Sequence, residues 1–301
     1  MKIKLIVAAF MLLAVSCSND ESLDSSVNLS SEQTLAPVTV AVSGFEVSQE
    51  DFPGTRATAI GEVAEVKAIT LAFYKSDGSQ AYKHTQYRES LEVGETFGAF
   101  STTLPLGNYT MVVLGYNQGS IAQEVTLSSP TVATYGDDRV RETFAATQAV
   151  SITNSDAVNL SATLNRIVSL LGVQSTDNRP AEVTHIRMTF SAGGKGFSPT
   201  TGLATSNTGF SNTLTLNNSV GTTSQNSSYL FLATDVQNMD VTIETLDAAD
   251  GNVLFSKTIT NVSFRRNRVT ILTGAIYSGG NVSASSFQIG ENWYNNLNIN
   301  F

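Results

Sequence analysis

The 301-residue sequence carries one cysteine, one tryptophan and two histidines. A lone cysteine, Cys17, excludes a disulfide within the chain, so the fold must be held by packing. His84 and His185 stand far apart without metal-ligand spacing, and no Gly-x-Ser-x-Gly elbow exists to present a nucleophile. The reading is of no enzyme and no cofactor. Charged residues make up 14% of the chain, and Lys and Arg number 17 against 26 Asp and Glu, for a formal net charge of -9. Without a broad basic surface to neutralise phosphates, nucleic acid is not an expected partner. No apolar stretch approaches the roughly 20 residues that cross a bilayer as a helix.

What is present begins at the N-terminus. Lys2 and Lys4 precede an apolar run, Leu5 to Val15, and then Ser16-Cys17. This is the pattern of a secretory signal peptide. Its end, Leu13-Ala14-Val15-Ser16-Cys17, resembles a lipobox, which predicts lipidation of Cys17 and attachment to the outer membrane through the lipid. A multiply acylated cysteine anchors stably, whereas a single chain does so only marginally. Ser18-Asn19-Asp20-Glu21 resembles the surface-export signal of Bacteroidetes lipoproteins and reads equally well as a solvated tether. Residues 18–36, rich in Ser, Asn, Asp and Glu, have no apolar period and read as flexible tether.

From Pro37 onward the pattern is β. Val38, Val40 and Val42 alternate with Thr39 and Ala41, and Phe45 and Val47 follow Gly44. Such period-two alternation of β-branched residues predicts a strand. Strands are predicted over 66–74 and 81–87 around an Asp77-Gly78 turn, then 109–116, 158–164 and 167–173. Residues 117–148 read as an insertion or long loop, and 164–171 could also form a helical turn. The second half continues with 183–190, 214–216, 229–233, 239–246, 253–262, 268–276 and short stretches at 287–289 and 297–301. Many short strands with polar, Gly-bearing turns predict an all-β fold of face-to-face sandwiches, divided near residue 165.

Other chemistry-bearing motifs are weak. Asp247-Ala248-Ala249-Asp250-Gly251-Asn252 lacks the acid at the third position and the closing glutamate of a calcium loop, and reads as a hairpin turn. Gly193-Gly194-Lys195-Gly196 lacks phosphate-loop spacing. Arg265-Arg266-Asn267-Arg268 is a basic cluster in an acidic chain, either a solvated strand edge or a contact for a partner subunit. Trp293 and Tyr294 are the best candidates for an exposed aromatic platform that would hold a sugar.

Taken in order, three features resemble the fimbrillin superfamily that builds type V pili in Bacteroidales. The first is the lipobox at Cys17, a prosegment with one strand, and then Thr55-Arg56-Ala57. The second is the pair Leu106–Val113 and Leu164–Leu170, and the third is Asn267–Tyr277 followed by the Trp293-bearing tail. The resemblance implies two transthyretin-like β-sandwiches in tandem. The parts would be signal peptide 1–16, lipidated tether and prosegment 17–56, N-terminal sandwich 57–165 and C-terminal sandwich 166–301. It also implies that an arginine-specific protease cuts between Arg56 and Ala57. Release of the strand bearing Val38, Val40, Val42, Phe45 and Val47 would then open a groove for a strand of another pilus subunit. Leu297, Ile299 and Phe301 in the tail alternate as a donor strand would. The implied role is a stalk, tip or anchor subunit in an adhesive fimbria. The alternative is a surface glycan-binding lipoprotein of a nutrient-uptake system.

Overall fold

The computed structural model describes residues 33–46, 57–58, 66–118, 124–278 and 288–291, with the backbone alone at Glu46, Ala57, Thr58 and 288–291. Every regular element among the described residues is a strand, and they form two β-sandwiches in tandem. The stretch 164–171 contains no helical turn; it spans the end of one strand and the start of the next.

The first sandwich is a single hydrogen-bonded sheet folded into two layers. One layer runs β4 (Gln80–Tyr87), β3 (Ala68–Lys75), β6 (Gly107–Tyr116), β9 (Thr143–Ile152). The other runs β10 (Val158–Arg166), β1 (Leu35–Glu46), β5 (Ala99–Pro105), with the two-residue β2 (Ala57–Thr58) also paired to β1. The two layers are joined by strand pairing where Asn165 and Arg166 of β10 meet Ala145 and Phe144 of β9. Between them Ile69, Leu71 and Phe73 of β3 and Met111 and Val113 of β6 pack against Val38, Val40, Phe100, Leu104 and Leu164. Inward residues of both layers interdigitate in this way because each strand turns alternate side chains to the core.

The second sandwich packs two four-stranded sheets. One has the order β14 (Gln225–Leu230), β11 (Ser169–Ser175), β17 (Val269–Gly274), β18 (Gln288–Glu291). Its partner has the order β13 (Phe210–Thr215), β12 (His185–Phe190), β15 (Val236–Leu246), β16 (Val253–Arg265). Val173, Ile186, Met188, Phe190, Val241, Ile243, Phe264 and Leu272 fill the space between.

A third core joins the halves. The outer face of the β3–β6 layer presents Ala72, Tyr74, Val112, Leu114 and Tyr116. It is covered by the hairpin of β7 (Val125–Ser129) and β8 (Val132–Tyr135) and by Phe197 and Phe231 from the second half. Phe197 and Phe231 stack at 4.4 Å. Ala133 and Phe197 exchange two backbone hydrogen bonds at 2.8 and 2.9 Å. Residues 124–148, expected as loop, therefore hold a hairpin and the start of a ten-residue strand. The sequence Thr143-Phe-Ala-Ala-Thr-Gln-Ala-Val150 conceals that strand because its alanines and threonines give little hydrophobic contrast between the faces. Strand β13 is longer than the predicted 214–216, and β14 starts upstream of the predicted 229–233.

Candidate functional site

Strand β1 supplies the most distinctive local arrangement. It lies in the middle of its layer, antiparallel to β5 from Leu35 to Ala41 and parallel to β10 from Val38 to Glu46. Ala36, Val38, Val40, Val42 and Phe45 face the core and are at most 6% exposed, while Leu35, Pro37, Thr39, Ala41 and Ser43 face outward. A register shift between Val42 and Gly44 inserts one extra residue, so Phe45 points inward although it lies three positions after Val42. Outward side chains tie β1 to β10: the Thr39 hydroxyl donates to Asn159 Oδ1 at 2.6 Å, and the Ser43 hydroxyl to the Ala162 carbonyl at 3.2 Å.

Phe45 is the anchor. Its ring meets Phe144 edge-on at 5.0 Å and lies over Gly115, where an added Cβ would sit 2.8 Å from the Phe45 ring and 3.1 Å from Leu164. Glycine at 115 thus makes room for the ring in the middle of a strand. Without β1, the facing edges of β5 and β10 would lose their backbone partners, and the core would lose four large apolar side chains and Ala36. Burying Val38, Val40, Val42 and Phe45 is worth roughly 1.5–3 kcal/mol each before ordering entropy.

The other candidates are placed as follows. His84 on β4 bonds Glu95 through Nε2 at 2.6 Å, beside a recess of about 370 Å³ that Tyr82 and Phe100 also line. The Glu92 backbone N–H and the His84 ring hold the Glu95 carboxyl below the usual carboxylate range. His185 on β12 is bonded at both ring nitrogens by threonine hydroxyls, Thr184 at 2.7 Å and Thr215 at 3.2 Å. Asp247 closes a turn by accepting from the Asn252 backbone and side chain at 2.7 and 2.9 Å. Among the described residues no group of three His, Cys, Asp or Glu side chains could hold a metal ion. The Arg265–Arg268 turn lines a groove rather than a flat strand edge.

Cys17, Val47, Arg56, Trp293, Tyr294, Leu297, Ile299 and Phe301 lie outside the described residues. Ala57 is on β2, where its backbone pairs with Glu46. Sequence reasoning missed β5, whose Phe-Ser-Thr-Thr-Leu-Pro pattern does alternate, and with it one flank of β1. It also missed Gly115, for which a glycine amid the apolar residues of β6 was the available signal.

A family model described as a family of unknown function, DUF6562, matches residues 38–300. No curated protein sequence matches the chain. Solved structures that resemble it include the fimbrial anchor protein Mfa2 from Porphyromonas gingivalis, at 14% identity and TM-score 0.46 over 85% of this chain and 95% of that one. A candidate adhesin from Bacteroides ovatus aligns at 12% identity and TM-score 0.49 over 82% and 88%. A candidate polysaccharide-binding protein of the DUF1812 group from Bacteroides thetaiotaomicron aligns at 12% identity and TM-score 0.46 over 79% and 90%.

Proposed function

We propose, for a chain that belongs to the DUF6562 family, that it is the precursor of a surface fimbrial subunit in which β1 is a removable occupant of a strand-wide slot. The observation that carries this reading is the position of β1 between β5 and β10, with its apolar face in the core and its sequence lying before Arg56. A strand at a sheet edge can leave with little effect on its neighbours. One between two partners leaves two open edges and a line of apolar pockets, which a strand from another chain satisfies by β-augmentation.

On this reading Cys17 carries the lipid, and an arginine-specific protease cuts after Arg56. The sandwiches then start at Ala57, and the division into 1–16, 17–56, 57–165 and 166–301 describes the processing of the precursor. The tail bearing Leu297, Ile299 and Phe301 is the donor to the next subunit. Adhesion is the role of the assembled fibre.

The test is intact mass and N-terminal sequencing of the lipidated precursor after treatment with an arginine-specific protease, with gel analysis of the product. The expected result is a new N-terminus at Ala57 accompanied by high-mass ladders. A chain that stays acylated, uncut and monomeric overturns strand exchange after cleavage and leaves the anchored glycan-binding alternative as the better account.

A further inference from the structure

The turn that joins β16 to β17 builds a second feature, independent of the β1 slot. Arg265-Arg266-Asn267-Arg268 closes with the Arg268 N–H donating to the Arg265 carbonyl at 3.2 Å. Asn267 takes a left-handed conformation, φ 59°, which asparagine tolerates better than most residues. Its N–H donates to the Val168 carbonyl at 2.9 Å and its side-chain oxygen accepts from Arg166 at 3.1 Å, so the turn is fixed to the start of the second sandwich.

Beside this turn lies a groove of about 580 Å³, lined from the first half by β9 and β10 and from the second by the turn and the 199–202 loop. Four arginines line it: 166, 265, 266 and 268. Arg166 forms the floor. It is 3% exposed, paired with Glu142 at 2.7 Å and seated over the Phe144 ring. Arg266 is held by Asp235 at 2.8 Å and by the Thr201 carbonyl at 2.9 Å. Gly202, at φ 70°, lets the loop come this close: an added Cβ would lie 2.7 Å from the Arg266 guanidinium. Arg265 is exposed and its side chain forms no ion pair among the described residues. Glu142 and Asp235 offset Arg166 and Arg266, so the exposed Arg265 brings positive charge to the groove of a chain whose net charge is -9.

The remaining lining selects among anions. Thr147, Thr163 and Asn165 on β9 and β10 place hydroxyl and amide groups along the wall. Among the described residues no aromatic side chain lines the groove, so this lining offers a neutral sugar no ring to stack on. The volume falls within the range of organic-ligand sites, far larger than an inorganic ion fills. A ligand with both negative charge and many hydroxyls matches this set, because the arginines supply forked donors and the wall supplies paired donors and acceptors.

We propose that this groove is a binding site for an acidic saccharide, one bearing carboxylate or sulfate groups. The backbone of the turn that carries Arg265 is fixed through Asn267 to Val168 and Arg166, so the turn itself needs little ordering on binding. The test is titration calorimetry of the full chain with four probes: trigalacturonate, which carries carboxylates only; a carrageenan tetrasaccharide, which carries sulfates only; neutral xylotriose; and sodium sulfate. At least one acidic oligosaccharide should bind, more weakly as salt rises from about 0.05 to 0.3 M. Xylotriose should not bind, and Arg265→Glu should weaken the acidic probe by about tenfold or more. Arg265→Gln gives the same direction with a smaller loss, should the charge reversal disturb folding. The proposal is overturned if neither acidic oligosaccharide binds, if Arg265→Glu and Arg265→Gln both bind as the parent does, or if xylotriose or bare sulfate binds as tightly.

Discussion

Strands β1 and β17 hold equivalent places in their two sandwiches. Each is interior, antiparallel to one neighbour and parallel to the other: β1 between β5 and β10, β17 between β18 and β11. They differ in how the chain holds them there. β17 is entered through the tight 265–268 turn. Its exit is pinned by Asp177, whose carboxylate accepts from the N–H groups of Ile276, Tyr277 and Ser278 at 2.7 to 2.8 Å. β1 comes from the start of the chain, ahead of every other strand of the sandwich it completes. One cut in the 47–56 connection would leave β1 held by hydrogen bonds and packing alone. The same sheet position is thus tied at both ends by local contacts in one sandwich and, on the proposed reading, released by a single cut in the other.

The most direct way to break this comparison is to weaken both strands and follow the chain through processing. Phe45→Ala should cost the precursor about 3–5 kcal/mol, as large-to-small changes of a buried aromatic do. Leu272→Ala in β17, also fully buried, should cost about 2–5 kcal/mol. After cleavage and assembly the two variants should part: the Leu272→Ala loss persists, while the Phe45→Ala loss disappears with β1. Denaturant melts of precursor and assembled product read both, and a Phe45→Ala deficit that survives in the product would mean that β1 never leaves.

A smaller effect is expected at Gly115. Alanine there places a methyl group 2.8 Å from the Phe45 ring, and overpacking of this kind costs about 1–3 kcal/mol. The precursor melt should fall, and an incoming strand with a smaller residue at the Phe45 position should be accepted better than one with an aromatic. Binding of synthetic strand peptides to the cleaved subunit would measure that preference. Smaller again is Asp177→Ala, which removes the clamp at the exit of β17. The loss should be about 1 kcal/mol for this partly buried group, read as faster hydrogen exchange at the amides of Ile276, Tyr277 and Ser278.

How far the sequence reveals these features depends on contrast between faces. Val38, Val40 and Val42 stand against Thr39 and Ala41, and that strand is legible from composition alone. The Asp77-Gly78 turn is equally plain, since Gly78 takes φ 83° where the hairpin needs it. The all-β class follows from the many such segments. β9 is not legible, because alanine and threonine populate both of its faces. The extra residue at Ser43-Gly44, which turns Phe45 inward, comes from register and not from the side-chain pattern. The arginine groove was half visible. The run Arg265-Arg266-Asn267-Arg268 stood out, but Arg166 lies about a hundred positions away and joins it only through the packing of β10 against the turn. The Asp177 clamp leaves no pattern either, because its bonds from three backbone N–H groups reach across about a hundred residues.

The smallest expected effect concerns the flank of the β1 slot. Glu95, in the segment that leads into β5, accepts from the Glu92 backbone N–H at 3.0 Å and from His84 on β4 at 2.6 Å. Both contacts favour the charged carboxylate, so its pKa is lower in the folded chain than in the unfolded one. A depressed carboxyl contributes stability that is fully present above the unfolded value, about 4.3 for glutamate. That contribution is lost as pH falls through the folded value. Acid should therefore loosen the entry to β5. Glu95→Gln removes the titrating group. Its stability difference from the parent should be constant near neutral pH and shrink toward zero on acidification below the unfolded value. Parallel acid titrations of both chains, followed by exchange at the Ala99 and Gly98 amides, would show the convergence. Curves that stay parallel into acid would mean that the His84–Glu95 contact does not hold this flank.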